Sequence, residues 1–502
     1  MNYNMKKIFL LLLPVILLAA CDKQIDAIQP LTKIDKDGEL SSVAGILEAT
    51  VGNYALITGS GFADMSLPLQ DLNEDRGNNV TLQDWGPANQ YTDAFFFRNS
   101  PSPTNGNSAA LYRGVYQVIV GVNTVLEGIA SFQASQFEGL NTGDQNKVLY
   151  AKGENMFIRA FMYFNLVRIY GKPYYQDGGA GLSIPLKKTS SVSDVPSPAS
   201  VKDVYAFIVS ELQTAAQLMK LPVTKTNSFA STGAAWALLS RVCLYMGGTV
   251  ASPDAAANQQ AVAYADSVIS SGNYALRQGS DYIQMFGDDE FGALGKSTFS
   301  SNKEIIYAFD NSAGGSYIGE LYHHDQSYDV GAIFLPSSAL RALFQPADVR
   351  GTFFKLNTSS NHTETTKWLC LNEAWLTRAP TIFLRLGEIY LNRAEAYAKL
   401  NNMTMARTDL KIIHTRAGLP GSDIDGLADG DVLSNVLLER RLELAFEGHN
   451  SFDYFRNGLP MLRSYTSFNS APLTVNATDA KVVLRISDGV LAENGNIQQN
   501  NQ

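Results

Sequence analysis

Residues 109–129, AALYRGVYQVIVGVNTVLEGI, set Leu111, Val115, Val118, Val122, Val125 and Ile129 three and four apart. That spacing lines one face of an α-helix, whereas a strand, with its period of two, would scatter the set over both faces. Residues 147–170 repeat the pattern with Ile158, Phe161, Leu166 and Ile169. The same periodicity predicts helices over 201–219, 232–246, 258–271, 381–400, 404–417 and 431–448. The chain is therefore predicted to be mostly α. Residues 384–400 run through Asn401-Asn402 into the next helix, which makes an αα-hairpin. Ala394, Ala396 and Ala398 would let its helices approach closely. Hairpins of this size are similar to tetratricopeptide units, although no strict period of about 34 residues is visible.

Between the helical blocks the composition changes. Residues 60–107 are rich in Gly, Asn, Asp and aromatics, and residues 274–378 carry short strand-like runs such as 304–309 between Gly, Ser and Asn. Loops of this length inside a compact protein are usually functional. They predict two loop-rich insertions, the second with short strands, and they are where ligand contacts are expected.

The N-terminus, MNYNMKKIFLLLLPVILLAACDKQ, has the layout of an export signal. Lys6 and Lys7 precede an apolar run, residues 8–18, too short for a permanent membrane span of roughly 20 residues. Leu18-Ala19-Ala20-Cys21 looks like a bacterial lipobox, which would make Cys21 the lipidated first residue of the mature chain. Several acyl chains, at about 0.8 kcal/mol per buried CH₂, hold a protein stably on a membrane. The polar stretch that follows, 22–39, reads as a tether.

The chain's formal charge is −9, and removal of a signal carrying two lysines makes it more negative. An acidic surface argues against nucleic acid as a partner. Once Cys21 is acylated only Cys243 and Cys370 remain, too few for a disulfide framework, and Cys243 sits in an apolar helical pattern as a core residue. The five histidines show no metal-ligand spacing, and adjacent His323-His324 suit a loop. GxSxG, GxxxxGK[ST] and HExxH are all absent. No cofactor or metal is expected.

Carboxylates need weighing. A glycosidase needs two at about 5–9 Å, and Asp71, Glu74 and Asp75 or Asp288-Asp289-Glu290 could supply them; solvated loop acids are the plainer reading. Glu439, Glu443 and Glu447 stand four apart and would repel along a helix. Arg440 is three before Glu443 and could pair with it. The segment holding Arg385, Glu388, Arg393 and Glu395 mixes charges in the same way, so ion pairs between facing helices are expected rather than catalysis.

Several blocks resemble one family. AKGENMFIRAFMYFNLVRIYGKPYY (151–175) is similar to the long helix of the SusD/RagB family. LRLGEIYLNRAEAYAKL (384–400) resembles its R-x-A-E-x-Y-L-x-R-A-E-A segment, with Gly387 in place of the usual alanine. IHTRAGLPG (413–421) and LLERRLELAFEGHNSFDYFRNG (437–458) complete the set in the family's order, while the C-terminal end lacks the family's I-P and N-P-G-Y signatures.

The resemblance implies an outward-facing lipoprotein of the Bacteroidetes outer membrane: a tetratricopeptide-like scaffold with an irregular ligand lobe. Such proteins cap a SusC-like TonB-dependent transporter, capture oligosaccharides or, in some members, peptides, and are not enzymes. A surface glycoside hydrolase using paired carboxylates is the rival reading. The implied organisation is a signal peptide over 1–20, a lipidated tether over 21–39 and a helical region over 40–273 with the loop insertion 60–107. A loop-rich insertion over 274–380 and a C-terminal helical region over 381–502 follow. Sugars stack C–H faces on aromatic rings and bind polar groups through hydroxyls. The stretch 71–98 offers both, with Asp71, Arg76, Asn78, Asn79 and Asn89 beside Trp85 and Tyr91; Tyr322, His323 and Tyr328 form a second candidate group, and Trp368 with Trp375 a third. Trp85, flanked by Asp84, Gly86 and Pro87, is the first choice.

Overall fold

The computed structural model describes residues 36–58, 74–83, 90–98, 106–286, 302–309, 318–325, 330–369, 380–464 and 472–500. Its longer helices are α1 (Val43–Thr58), α2 (Gly106–Ser135), α3 (Thr142–Tyr170), α4 (Val201–Leu218), α5 (Thr232–Met246) and α6 (Ala255–Ser270). The C-terminal set is α7 (Leu386–Lys399), α8 (Met403–Arg416), α9 (Asp429–Glu443), α10 (Asn450–Arg456) and α11 (Asp488–Glu493). From α2 to α8 each helix packs against the next, α1 lies on α2 and α3, and α9 closes against α7 and α8. This is a series of helical hairpins, as the periodicity predicted.

Side chains set many of the starts. Asn141, Ser200, Ser231, Asp254, Asn402 and Ser487 accept the backbone N–H three residues on, capping α3, α4, α5, α6, α8 and α11. Each cap satisfies a donor that the helix leaves unpaired. The main core joins the apolar faces of α2 to α5 and the start of α7, with α3 at its centre. α2 is long and apolar enough to cross a membrane, but its apolar stripe is buried against this core. Ala394, Ala396 and Ala398 are buried at helix contacts as expected. Cys243 is a core residue too, its thiol pushed up to about 12 by burial.

The described strands form two-stranded antiparallel pairs: β1 (Val80–Leu82) with β7 (Phe334–Pro336), β2 (Leu182–Pro185) with β3 (Pro198–Ser200), and β4 (Ile305–Phe309) with β10 (Thr381–Arg385). β5 (His324–Asp325) pairs with β6 (Val330–Gly331), β8 (Phe354–Asn357) with β9 (His362–Thr365), and β11 (Met461–Arg463) with β12 (Leu473–Val475). Residues 381–385, read as the first turn of a helix, are thus a strand. Thr-Ile-Phe-Leu-Arg is β-branched and aromatic, and it pairs with the equally apolar Ile-Ile-Tyr-Ala-Phe of β4. α7 begins only at Leu386.

The predicted helix 431–448 also stops early, at Glu443. Buried donors capture the carbonyls that a longer helix would use. Arg385 Nη2 and Lys367 Nζ donate to Glu443 O, Lys367 Nζ also donates to Ala445 O, and Trp368 Nε1 donates to Phe446 O. Phe446 itself takes a φ of 66°, left-handed backbone that ends a helix.

Candidate functional site

The irregular lobe has its own core. Leu82, Phe95, Phe286, Ile318, Ile333, Phe334 and Trp368 pack together with Leu442 and Phe446 at the end of α9. These residues stand at or near the ends of the described stretches, so the segments between them start from and return to one packed base.

Arg463, on β11, clamps two of those ends. Its guanidinium donates from Nε to Gly77 O at 2.8 Å, from Nη2 to Asp75 O at 2.7 Å and from Nη1 to Phe95 O, and it lies 3.7 Å from the centre of the Phe95 ring. Glu74 ties the same stretch to the scaffold. It accepts from Phe446 N at 2.9 Å, Gly448 N at 3.1 Å and Asn79 Nδ2 at 2.9 Å, and burial pushes its carboxyl above the usual range. Fully buried and hydrogen-bonded to the scaffold backbone, Glu74 serves as an anchor. The acids Asp71 and Asp288 to Glu290 lie outside the described residues.

Beneath the lobe core the acidic stripe is fully committed. Arg385 bonds Glu443 at 2.5 Å, Glu447 at 2.6 Å and Glu304 at 3.0 Å. Arg416 reaches Glu443 as well and meets Glu304 at 2.8 Å; Arg350 joins Glu439 at 2.6 Å and Asp348 at 2.8 Å. Lys367 holds Glu447 at 2.6 Å. Burial would raise the Glu443 carboxyl, yet Arg416, Arg385 and Arg350 together hold it well below the usual range. The expected pairing across helices is there, with one change of partner. Arg440 turns away from Glu443 to Glu395, Asp453 and Asn392.

Several expected ligand residues are structural. Trp368 is fully buried, with its ring edge-on to Phe286 at 5.6 Å and its N–H spent on Phe446 O. Tyr322 is buried against Phe446. The Arg76 guanidinium, brought down to about 10 by burial, lies 4.6 Å from the Phe97 ring centre and donates to Lys481 O and Val482 O. None of the three offers a surface to a sugar, which corrects the expectation: Trp368 and Tyr322 fill the lobe's own core, and Arg76 is buried against Phe97 in a separate cluster with Phe455 and Val482. Asn78 and Asn79 are likewise buried, bonding Tyr454, Leu462 O and Arg441. His323 is half-buried and held by Glu364 at 2.8 Å. Tyr91 lies on the short helix Gln90–Phe95. Asp71, Trp85, Asn89, Tyr328, Trp375 and Cys21 lie outside the described residues.

Among the described residues are concavities that the sequence did not announce. A polar depression of about 230 Å³ sits beside β1, between Thr81, Pro336, Ser338, Arg341 and His362. A larger groove of about 550 Å³ runs between the first half of α2 and α11. Tyr112 and Tyr116, four apart on α2 beside its apolar stripe, were the available signal for it. Among the described residues no group of three His, Cys, Asp or Glu is placed to hold a metal ion.

The arrangement defines a class: a helical-hairpin scaffold carrying a loop-rich lobe on an ion-paired base. Known proteins match it. The family described as "SusD family" matches residues 371–501, and "Starch-binding associating with outer membrane" matches residues 49–244. A curated relative, SusD-like protein P2 of Formosa agariphila, is 23% identical over 457 residues, covering 83% of this chain and 84% of that protein. Among solved structures, a SusD superfamily protein from Bacteroides thetaiotaomicron superposes with a TM-score of 0.79 at 25% identity, covering 92% of this chain and 100% of that one. One from Bacteroides vulgatus gives 0.75 at 26% identity, covering 91% and 98%. The chain belongs to the SusD/RagB family.

Proposed function

We propose that the protein is an outer-membrane lipoprotein, anchored through Cys21 and facing outward, that binds oligosaccharide on its irregular lobe and delivers it to a SusC-like TonB-dependent transporter. Starch binding and outer-membrane association stand in the description of the family that matches residues 49–244. The observation that carries the reading is the lobe base. Residues flanking the segments with Trp85, Tyr328 and Trp375 pack in one core, and Arg463 and Glu74 pin the backbone beside them. Rigid scaffolds that present variable loops are how binding proteins separate stability from specificity. Glu74 is buried in backbone hydrogen bonds and Glu443 and Glu447 are buried in ion pairs, which favours capture over turnover.

A glycan array on the chain from residue 22 onward, followed by reducing-end measurement, tests this. Binding without new reducing ends is expected, and turnover of a bound glycan would replace the reading with a hydrolase. Trp85→Ala is expected to weaken the identified glycan roughly five- to a hundredfold, by analogy with stacking on one aromatic ring. Unaltered affinity in a folded variant would remove Trp85 from the site.

A further inference from the structure

Polar side chains around the β8–β9 hairpin pair with one another. Glu364, the acid of that hairpin, is buried and accepts from Ser360 at 2.6 Å, His323 at 2.8 Å and Asn357 at 2.9 Å. Arg350 and Asp348 hold each other nearby in the chain. The depression of about 230 Å³ beside β1 is different. β1 contributes Thr81 to it, and the short helix Ser338–Arg341 contributes its two end residues. β9 and the residue before it add His362, Thr363 and Asn361. Thr81, His362 and Thr363 are half-buried, while Ser338, Arg341 and Asn361 are exposed.

Arg341 stands apart from the other described arginines. Its guanidinium alone has no hydrogen bond, ion pair or ring contact among the described residues. The side chains of Ser338, Asn361, His362 and Thr363 likewise make no hydrogen bond to a described residue. Among the described residues no carboxylate lines the depression, in a chain with 48 acids against 39 lysines and arginines. An uncommitted cation is therefore set among uncommitted donors: hydroxyls, an amide and an imidazole.

That combination selects its occupant. A cation would be repelled, and an apolar group would strip water from the guanidinium without replacing it. An oxyanion answers both the charge and the donors. The guanidinium fork matches the paired oxygens of a carboxylate or sulfate, in charge-assisted bonds roughly twice as strong as neutral ones. Pockets that enclose a whole small molecule run to about 300–1,000 Å³, so this smaller depression suits one charged group of a longer ligand. Thr81 stands four residues before Trp85, a backbone span of at most about 14 Å. That is within the length of an oligosaccharide.

We propose that the depression is an oxyanion subsite of the lobe, holding on Arg341 a carboxylate or sulfate group of an acidic oligosaccharide. The inference rests on the lobe as a glycan-binding surface and narrows its ligand class.

Calorimetry on the chain from residue 22 onward tests it with matched ligands. Hexagalacturonate is compared with its methyl ester and a carrageenan hexasaccharide with its desulfated form, beside sodium sulfate and hexaglutamate. Arg341→Gln removes the charge at an exposed position, and Ser338→Asp places a carboxylate in the depression. Either variant carries the test if the other fails to fold. An acidic glycan bound roughly tenfold or more tighter than its neutral form, with that preference lost in the variants, supports the subsite. Equal affinity for acidic and neutral forms overturns it, and so does a preference that survives both variants. Binding of sulfate or hexaglutamate through Arg341, with neither acidic glycan bound, overturns the assignment to an acidic sugar. Neutral glycans bound on the array through Trp85, with no preference for acid, overturn the subsite and keep the lobe. An acidic glycan bound through Arg341 and untouched by Trp85→Ala keeps the subsite and removes Trp85 from the site. Failure to bind any glycan, here or on the array, overturns both.

Discussion

At the scale of single residues, Glu443 shows how burial changes the worth of a charge. It faces three arginines with no exposure, so removing it strands cations that water cannot reach. Glu443→Gln is expected to lower unfolding free energy by about 3–5 kcal/mol in urea titrations at neutral pH. The pH dependence has a definite sign. The unfolded chain protonates this carboxyl near about pH 4.3, whereas the arginines hold the folded one well below that. The unfolded state therefore binds more protons in that interval, and stability rises with pH through it. The site's contribution is complete above the unfolded value and lost as pH falls through the folded one. The advantage of the native chain over Glu443→Gln should accordingly shrink as titrations move below about pH 4. Trp368 makes the opposite kind of case: an apparent ligand residue whose work is internal. Trp368→Ala removes a fully buried indole and the donor to Phe446 O, and a loss of about 3–5 kcal/mol is expected. Full stability in that variant would return Trp368 to the surface.

At the scale of elements, caps and captured carbonyls decide where helices begin and end. Ser231 starts α5 by accepting from Ala234 N at 3.1 Å. α5 carries Arg241, which reaches across to Glu388 on α7 at 2.5 Å, so its first turn supports a contact between distant parts of the chain. Ser231→Ala should cost about 1 kcal/mol, read as a lowered melting temperature with unchanged helix content. No change would mean that another group caps the helix. The end of α9 depends on tertiary partners instead: the donors are Arg385, Lys367 and Trp368, far away in sequence.

At the scale of the whole molecule, anchoring and partnership are the proposals to test. Cys21→Ala should release the protein from membranes or leave it unprocessed, and membrane retention with unchanged lipid labelling would overturn the anchor. A protein that delivers ligand to a channel must rest a broad face on it, and a long-lived contact of that kind buries roughly 2,000 Å² or more. Co-purification with a large outer-membrane β-barrel in mild detergent is expected. Recovery of the free lipoprotein alone, under conditions that keep comparable pairs together, would count against the transporter.

The helical scaffold was legible in the sequence because periodicity, caps and small residues act locally: α5 was bounded to the residue from its apolar spacing alone. Ion pairing of the acidic stripe could be foreseen too, since buried like charges four apart demand counterions. What the sequence left open was which partner each charge would take and which aromatics would face water. Glu443 could have met Arg440 on its own helix, yet Arg385, Arg416 and Arg350 converge on it from three other places in the chain. Trp368, Tyr322 and Arg76 stand in loop-rich stretches, but the lobe core closes over Trp368 and Tyr322, and a separate cluster around Phe97 and Val482 buries Arg76. Burial is a property of elements brought together from hundreds of residues apart. A local pattern can state that a ring is present, but only the packing decides whether its face meets another ring or a sugar.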